Sequence, residues 1–315
     1  VKPMNCPMHI LIYASQQRSY RDLPIRLAEI ANVYRNERSG ALHGMLRVRG
    51  LSMDDAHIFL REDQIEDEIF GMLDIVELVM GKTFGLSYRL DLATRPPGKK
   101  LGSDEMWDTA EKALEGALKR PGLTYRIDAG GGAFYGPKID VKFNDAIGRE
   151  WQGATVQLDY QLPERFNLEY TGADNKPHRT LMMHRAIFGT IERFTGFLIE
   201  HFAGAFPLWL SPEQVRVLPI GEGQLDAARA VHETLRQAGI RSHLDERSDT
   251  LNYKIRDAEL HKVPYMAVVG QREAEAKSVA VRVRGAGNKQ VVMPISEFAE
   301  KLKQEIHGRS LKPLI

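Results

Sequence analysis

Arginines and acidic residues are concentrated between residues 35 and 59, in RNERSGALHGMLRVRGLSMDDAHIF. The stretch contains Arg35, Arg38, Arg47 and Arg49, glycines at expected turns, and two adjacent aspartates. Arginine can hold a phosphate through two parallel hydrogen bonds, and a rigid sheet can keep several such side chains in a fixed arrangement. The pattern indicates an anion site with carboxylates beside it. A solvated strand pair with mixed charges explains these residues equally well.

Cys6, His57 and His184 are residues of types that bind zinc. Separations of 51 and 127 residues lie far outside the local spacings of zinc fingers. Spacing therefore does not select these residues, and buried side chains without a metal remain the simpler interpretation.

A glycine-rich run, DAGGGAFYGPK, occupies residues 128–138. It has neither the GxxxxGK[ST] order of a phosphate-binding loop nor the GxGxxG order of a dinucleotide site. Two interpretations stay open. The glycines either allow the backbone to approach another segment closely while delivering Tyr135 and Lys138 to a strand, or they form a flexible surface hairpin.

Composition favours two globular domains, since 43% of the 315 residues are apolar and 27% are charged. Lysine and arginine number 43 against 42 acidic residues, so an RNA-binding surface would have to be a local patch. The single cysteine fits a reducing compartment, and we predict a cytoplasmic protein. No apolar run approaches the roughly 20 residues of a membrane span, and no signal-peptide pattern opens the sequence.

The first part of the chain favours an antiparallel α+β fold. Its predicted strands have largely alternating apolar positions and cover residues 31–35, 46–49, 57–60, 139–143 and 155–158. Its predicted helices cover residues 62–84, 104–118 and 184–202. Arg193 on the last of these is a second phosphate candidate, although single helical arginines are more often surface residues.

The pattern changes near FPLWLSP at residues 206–212, where we place a boundary between domains of residues 1–208 and 209–315. Beyond it, strands and helices alternate, which indicates a smaller α/β domain with a mostly parallel sheet. The predicted strands are 215–220, 241–244, 265–269, 278–283 and 290–293, and the predicted helices are 224–238, 250–261 and 295–306.

Five motifs then match one family closely. They are KPMNCP at residues 2–7, YRNE through DDAHIF at 34–59, AFYGPKID at 133–140, TVQLDY at 155–160 and HRAIFGTIERF at 184–194. Together they resemble bacterial threonyl-tRNA synthetases, which are class II aminoacyl-tRNA synthetases. The similarity continues to VPYMAVVG at 263–270 and RSLKPL at 309–314.

The resemblance implies a class II catalytic core, with an antiparallel sheet flanked by helices, followed by an anticodon-binding domain. It implies ATP-dependent formation of threonyl-adenylate, transfer of threonine to tRNA(Thr), Mg²⁺ with the ATP, and a homodimer. It also assigns one Zn²⁺ per chain to Cys6, His57 and His184, with the fourth position open to the amine and hydroxyl of threonine. Valine offers no hydroxyl there, so a site that reads polar groups rejects it.

The remaining site residues are also implied by the resemblance, position by position. Arg35 binds the α-phosphate, Glu37 faces the adenine, and Arg47 and Arg193 bind the outer phosphates. Asp55 receives the threonine ammonium group. Tyr135 and Lys138 line the amino-acid pocket, with Lys138 counted beside Arg35 and Arg193 among the catalytic residues. Gln152 and Gln157 contact the adenylate, and Gln157 also the threonine. Glu273 and Arg282 read the anticodon.

The first class II motif and the family's editing domain are not found in the sequence, which also begins without methionine. We therefore expect the catalytic domain to lack its N-terminal part.

Six residues depart from the family pattern: Met8, Met53, Gly131, Gly153, Ala154 and Thr190. One interpretation is a divergent paralogue whose pocket tolerates an inhibitor, and another is neutral repacking. A synthetase-like tRNA-binding or regulatory protein without catalysis is a further alternative, against which the retained Arg35 and Asp55 argue. An enzyme that loads threonine onto a carrier protein would not need the second domain.

Overall fold

The computed structural model describes residues 1–98, 100–120, 122–144 and 148–315. These residues form two compact units, Val1–Leu198 and Ile199–Ile315. Each unit has a sheet of its own. The boundary that the sequence places after residue 208 stays a prediction.

The first unit is built on an antiparallel sheet. Its strands are β1 (Ile25–Tyr34), β2 (Gly50–Leu60), β3 (Arg89–Ala93), β4 (Tyr125–Asp128), β5 (Lys138–Asn144), β6 (Glu150–Asp159), β7 (Glu169–Thr171), β8 (Pro177–Arg179) and β9 (Leu181–Thr190). Seven of them form one sheet in the order β1-β2-β9-β6-β5-β3-β4, and β7 pairs with β8 separately. Neighbours in the large sheet are antiparallel except β3 and β4. The predicted α+β class is confirmed.

Helices flank this sheet. They are α1 (Cys6–Ala14), α2 (Ile65–Val76), α3 (Asp104–Leu118), α4 (Gln161–Arg165) and α5 (Ile191–His201). A π-helical segment, Glu77–Thr83, continues α2. The buried residues of α2, among them Ile65, Ile69 and Met72, recur at helical spacing and form one apolar stripe. Among the described helices, none is both long and apolar enough to cross a membrane.

Two local predictions for the first unit are wrong. Residues 184–190, predicted as helix, belong to β9, and the helix begins only at Ile191. This strand lies inside the sheet and is largely buried, and a continuous apolar run does not distinguish a buried strand from a helix. Residues 46–49, predicted as strand, precede β2 in a turn that the His43–Arg47 bridge closes.

The second unit combines parallel and antiparallel pairing. Its elements are β10 (Val215–Pro219), α6 (Leu225–Gln237), β11 (Ser242–Leu244), α7 (Leu251–Leu260), β12 (Tyr265–Val269), α8 (Gln271–Ala276), β13 (Ser278–Val283), β14 (Val291–Pro294) and α9 (Ile295–His307). The strand order is β11-β10-β12-β13-β14. The first three are mutually parallel, whereas β13 and β14 are antiparallel additions. Their connections are shorter than the dozen or so residues that a parallel crossover requires. The α/β class is confirmed, but the predicted mostly parallel sheet is wrong, because the parallel part is confined to three strands.

Candidate active site

A cavity of about 410 Å³ lies against β2, β6 and β9 of the first unit. Its wall contains ten of the residues that the resemblance assigns to the active site: Cys6, Arg35, Glu37, Arg47, Asp55, Tyr135, Gln152, Gln157, His184 and Arg193. His57 packs against the ring of His184, with the ring centroids 4.8 Å apart. Lys138 lies on the neighbouring strand β5. The structure thus brings together residues that the sequence separates widely.

Strand register explains this convergence. His57 on β2 pairs with His184 on β9, and His184 pairs with Gln157 on β6. Gln157 pairs in turn with Lys138 on β5. Residues paired across neighbouring strands project to the same face, so these four side chains form a row across the sheet. Asp55, two residues before His57, lies on the same face.

Cys6, His57 and His184 form a compact buried cluster. One ligand atom from each lies within 4.8 Å of the other two. Cys6 is the first residue of α1, where a proline in the first turn costs no intrahelical hydrogen bond. Its Sγ lies 3.6 Å from Nδ1 of His184. The start of a helix and two adjacent strands therefore bring the three side chains together.

Each histidine of the cluster is held through its other ring nitrogen. Nε2 of His184 lies 2.9 Å from Oδ2 of Asp159, and Nδ1 of His57 lies 2.7 Å from Nδ1 of His9. Nε2 of His57 is buried and has no hydrogen-bond partner among the described residues. Because an unpartnered buried nitrogen is costly, its position calls for a group that accepts its lone pair or its proton.

The donor groups of the cluster suit a metal once His184 has released the proton that its raised pKa favours. Burial lowers the pKa of His57 to about 2, so this ring is neutral. Burial opposes protonation of His184 as well, but the hydrogen bond to Asp159 and the contact with Cys6 outweigh it and raise the pKa to about 9. A thiol and two imidazoles, with a carboxylate behind one of them, match the donors and supporting groups of zinc sites. The residues fit a zinc ion with three protein ligands.

Asp55 is the carboxylate of the cavity wall that lies beside the cluster. Its Oδ2 accepts a hydrogen bond from Nδ2 of Asn5 at 3.1 Å, and its Oδ1 lies 3.8 Å from Nε2 of His57. Burial raises the pKa of Asp55, and the hydrogen bond from Asn5 opposes this rise. A cationic group bound in the cavity would compensate the cost of keeping this carboxylate ionised.

Tyr135 reaches the cavity because Gly136 approaches a neighbouring strand. A Cβ atom on Gly136 would lie 1.9 Å from the carbonyl oxygen of Leu158, so only glycine fits there. The Tyr135 hydroxyl donates to Oε1 of Gln157. Burial raises the pKa of Tyr135, which keeps this donor protonated. Of the two interpretations of the glycine run, close backbone approach is therefore the one that applies.

Three guanidinium groups line the cavity. Arg35 donates to the carbonyl oxygen of Pro3 at 3.3 Å and to Sδ of Met53 at 3.6 Å. Arg193 donates to the carbonyl oxygen of Leu46 at 2.8 Å. Within the part of the chain that the structure describes, neither arginine has a salt-bridge partner.

The third guanidinium, that of Arg47, lies 3.5 Å from Oε2 of Glu37. Burial, followed by the charges of Arg47 and Arg35, lowers the pKa of Arg193. Mutual repulsion of this kind favours binding of a polyanion, since an anion relieves it.

Asp140 organises the β5 side of the site, a role that the sequence did not reveal. Nζ of Lys138 lies 2.5 Å from its Oδ2. Its Oδ1 accepts hydrogen bonds from Nε2 of Gln152 at 2.8 Å and from Oγ1 of Thr155 at 2.9 Å. The charge of Lys138 is therefore paired with that of Asp140 beside the cavity, and the hydrogen bond to Asp140 orients Gln152 on the cavity wall. Nothing in the local sequence KIDVKFN distinguishes Asp140 as the residue with this role.

Asp54 and Glu192 are further residues that the sequence analysis missed. Asp54 accepts hydrogen bonds from the backbone N–H groups of Ile187, Phe188 and Gly189 at 2.8, 3.0 and 2.8 Å. These donors form a bulge, because Met53 pairs with Thr190 whereas Asp55 pairs with Ala186. Gly189 has φ of +72° there. The Glu192 carboxylate accepts from the backbone N–H of Ser52 at 3.0 and 3.1 Å.

The six departures from the family pattern do not all lie at the cavity. Met53, Gly153 and Thr190 line it, and Ala154 is fully buried. Met8 is 49% exposed on α1. A Cβ atom on Gly131 would lie 2.1 Å from Oδ2 of Asp128, so a larger residue requires this carboxylate to move.

The two proposed anticodon residues lie on neighbouring elements of the second unit. Glu273 is in α8, and its carboxylate accepts from the backbone N–H of Gly270 at 3.0 Å. Arg282 is in β13, and its guanidinium donates to the carbonyl oxygen of Gly287 at 2.7 Å. Helix α8 packs on β13. Both side chains have intramolecular partners that an RNA ligand would have to replace or share.

Comparison with known proteins identifies both units. Residues 1–202 match the family described as the tRNA synthetase class II core domain (G, H, P, S and T), and residues 214–305 match an anticodon-binding domain. A crystal structure described as the RNA-binding domain of threonyl-tRNA synthetase from Cryptosporidium parvum is 42% identical, with a TM-score of 0.91 over 96% of this chain and 76% of that one. The chain belongs to the threonyl-tRNA synthetase family.

Curated relatives support the same family. The chain is 54% identical over 310 residues to threonine–tRNA ligase of Sulfurihydrogenibium sp., covering 98% of this chain and 48% of the relative. It is 58% identical over 285 residues to threonine–tRNA ligase of Acidithiobacillus ferrooxidans, covering 90% of this chain and 44% of the relative. The chain thus spans about half the length of the curated relatives that it matches.

Proposed function

We propose that this chain carries out ATP-dependent activation of L-threonine to threonyl-adenylate and transfer of the threonyl group to tRNA(Thr). The observation that carries the proposal is the shared cavity wall. Cys6 and His184 of the zinc-type cluster line the same cavity as the guanidinium groups of Arg35, Arg47 and Arg193. One cavity thus offers metal ligands for an amino acid and cationic groups for a nucleotide.

Threonine selection is assigned to the cluster and its neighbours. Cys6, His57 and His184 would hold a zinc ion, which when bound supplies a Lewis-acidic position for the amine and hydroxyl of threonine. Asp55 lies 3.8 Å from His57 and would bind the ammonium group. The Tyr135 hydroxyl, held by Gln157, would close the pocket. Valine lacks the hydroxyl that this polar site requires, whereas serine has it.

ATP binding is assigned to the three guanidinium groups. Arg35 would neutralise the α-phosphate, while Arg47 and Arg193 would bind the outer phosphates together with Mg²⁺. Glu37 would face the adenine, and Gln152 would contact the adenylate. An oxygen of the threonine carboxylate attacks the α-phosphorus, and the bond to pyrophosphate breaks. Catalysis then consists of positioning and charge neutralisation.

Transfer to RNA requires the second unit. In the second step a hydroxyl of the terminal ribose of tRNA attacks the threonyl carbonyl carbon, and AMP leaves. Glu273 and Arg282 would read anticodon bases, whose edges are free in a single-stranded loop. The match of residues 214–305 to an anticodon-binding domain supports this assignment. A homodimer and a cytoplasmic location stay predictions from the sequence.

The test is threonine-dependent exchange of pyrophosphate into ATP, followed by charging of tRNA(Thr). We expect exchange with threonine, little with valine, and one zinc per chain by metal analysis. Cys6→Ala should lose the zinc and the exchange together. Zinc binding without exchange would contradict the enzymatic proposal and favour a tRNA-binding protein. Exchange without charging would contradict transfer to tRNA.

A further inference from the structure

His9 is a buried histidine that no assignment so far uses. It lies on α1, is 5% exposed, and sits between His57 and Glu29. Its Nδ1 is 2.7 Å from Nδ1 of His57, and its Nε2 is 3.4 Å from Oε1 of Glu29. The rings of His9 and His57 meet edge to face, with centroids 4.9 Å apart. These contacts connect the Glu29 carboxylate, through His9, to His57 of the cluster.

The contacts from Glu29 through His9 determine which nitrogen of His57 carries its proton. Two ring nitrogens 2.7 Å apart share one hydrogen, so one donates and the other accepts. The Glu29 carboxylate accepts only, which favours a proton on Nε2 of His9. With the proton of the His9 imidazole on Nε2, its lone pair is on Nδ1, and His57 must donate from its own Nδ1. The lone pair of His57 is therefore on Nε2, the buried atom without a partner.

The opposite tautomer is disfavoured by the same distances. It would require Nε2 of His57 to donate to Asp55, but Oδ1 of Asp55 is 3.8 Å away, which is too far for a hydrogen bond. It would also turn the lone pair of His9 Nε2 toward the Glu29 carboxylate, 3.4 Å away. Repulsion between a lone pair and an anion makes that arrangement unfavourable.

We propose that His9 and Glu29 are a positioning pair that fixes the tautomer of His57, so that Nε2 presents its lone pair to the metal position formed with Cys6 and His184. This inference rests on the metal site of the proposed function. Asp159 holds His184 directly at 2.9 Å, whereas Glu29 acts on His57 through an intervening imidazole. Such supporting partners set ligand orientation and metal affinity.

Zinc affinity of the full chain, measured by competition with a chromophoric chelator, tests the pair. His9→Leu removes the acceptor for His57, and we expect about 10- to 100-fold weaker zinc binding. His9→Asn keeps an acceptor in the position of Nδ1, so it should stay within about threefold of the unmodified protein. The zinc affinity of Glu29→Gln should lie between those of His9→Leu and His9→Asn.

Glu68→Gln is the matched control, because Glu68 also contacts β1, through Arg26 at 2.9 Å, but within the described part of the chain it has no hydrogen bond or ion pair with His57 or His9. We expect its zinc affinity to equal that of the unmodified protein. Circular dichroism should accompany each measurement. If His9→Leu does not fold, the zinc affinities of Glu29→Gln and His9→Asn are compared with that of Glu68→Gln. Equal affinities of Glu29→Gln and Glu68→Gln would then contradict the positioning role.

Nitrogen-15 NMR of the zinc-loaded protein, with labelled histidine, provides a readout that a purely structural role would not change. We expect His57 to carry its proton on Nδ1 and to bind zinc through Nε2. Zinc on Nδ1, or equal affinities of the unmodified protein and folded His9→Leu, would overturn this inference alone. An unmodified protein that binds no zinc would overturn the proposed metal site and the inference with it.

Discussion

Asp54 and Asp55 are neighbours on β2, yet their carboxylates have different partners. Asp54 accepts three backbone hydrogen bonds from the bulge of β9. Asp55 accepts a hydrogen bond from Asn5 on the cavity wall. Since side chains alternate along a strand, consecutive residues can serve the two faces separately. Asp54 therefore stabilises the backbone of the bulge, and Asp55 is available to a ligand.

Asp54→Ala should destabilise the protein without a direct effect on ligand contacts. The substitution leaves three backbone N–H groups of residues 187–189 without their acceptor, and we expect a loss of about 3 kcal/mol in the free energy of unfolding. Urea denaturation measures it. Asp55→Asn is the control and should change stability by less than about 1 kcal/mol. Equal losses in the two variants would contradict this division of roles.

Asp55→Asn should instead weaken threonine binding. An amide cannot neutralise the ammonium group, and losing a charge-assisted contact of about 1.5–3 kcal/mol corresponds to a rise of about 10- to 150-fold in KM for threonine. Pyrophosphate exchange at varied threonine concentration measures this. The KM for ATP should stay within about twofold. A parallel rise in both constants would point to general disruption of the site.

Arg193→Gln should weaken ATP binding and leave the fold intact. Burial and the neighbouring Arg47 and Arg35 already disfavour its charge, so removing it relieves repulsion. We expect KM for ATP to rise about 10- to 100-fold, with an unchanged or higher melting temperature. Exchange kinetics and thermal unfolding provide the two measurements. A marked drop in melting temperature would show that the contact with Leu46 mainly stabilises the fold.

Gly153→Cys should disturb packing beside the cavity. A Cβ atom at this position would lie 2.2 Å from Cε1 of Phe143, whose ring packs on Phe197 with centroids 4.2 Å apart. The ring must move, so we expect a loss of about 1–3 kcal/mol in the free energy of unfolding. Adding Phe143→Leu should recover part of it. No recovery in the double variant would contradict a steric clash with the Phe143 ring as the cause.

The sequence predicted the class of both units and most element positions, because alternating apolar residues and strand–helix alternation are local patterns. It failed at residues 184–190, where burial of a central strand removes the alternation. The cluster of Cys6, His57 and His184 could not be found from spacing, because strand register brings these residues together. Asp140 and Asp159 lie inside the motifs AFYGPKID and TVQLDY, and His9 lies just after KPMNCP, but the roles of all three depend on side-chain contacts across elements, which a motif does not show.

Acid should weaken the sheet through Asp91, which is 1% exposed on β3. Hydrogen bonds from Arg89, at 2.7 and 2.9 Å, and the nearby Lys142 lower its pKa to about 2. An unfolded aspartate titrates at about pH 3.9, so this carboxylate adds stability above about pH 4 that is lost as the pH falls toward 2.

The lost stability corresponds to about 2 kcal/mol. Denaturant unfolding between pH 5 and pH 2 should therefore show about 2 kcal/mol more loss in the unmodified protein than in Asp91→Asn. Identical pH profiles would exclude Asp91 as the titrating group.

The bulge in β9 affects how the proposed binding sites for the amino acid and for ATP are positioned relative to each other. His184 lies before the bulge, and Arg193 lies after it, in the first turn of α5. The spacing between His184, in the amino-acid pocket, and Arg193, at the phosphate position, is therefore set by the length of one short segment. Deleting one residue from 187–189 would reverse the face to which the remaining strand residues on one side of the deletion project, and would shift the start of α5. Arg193 would then be displaced relative to His184, and the outer phosphates would be held out of line with the amino acid, even with every contacting residue still present.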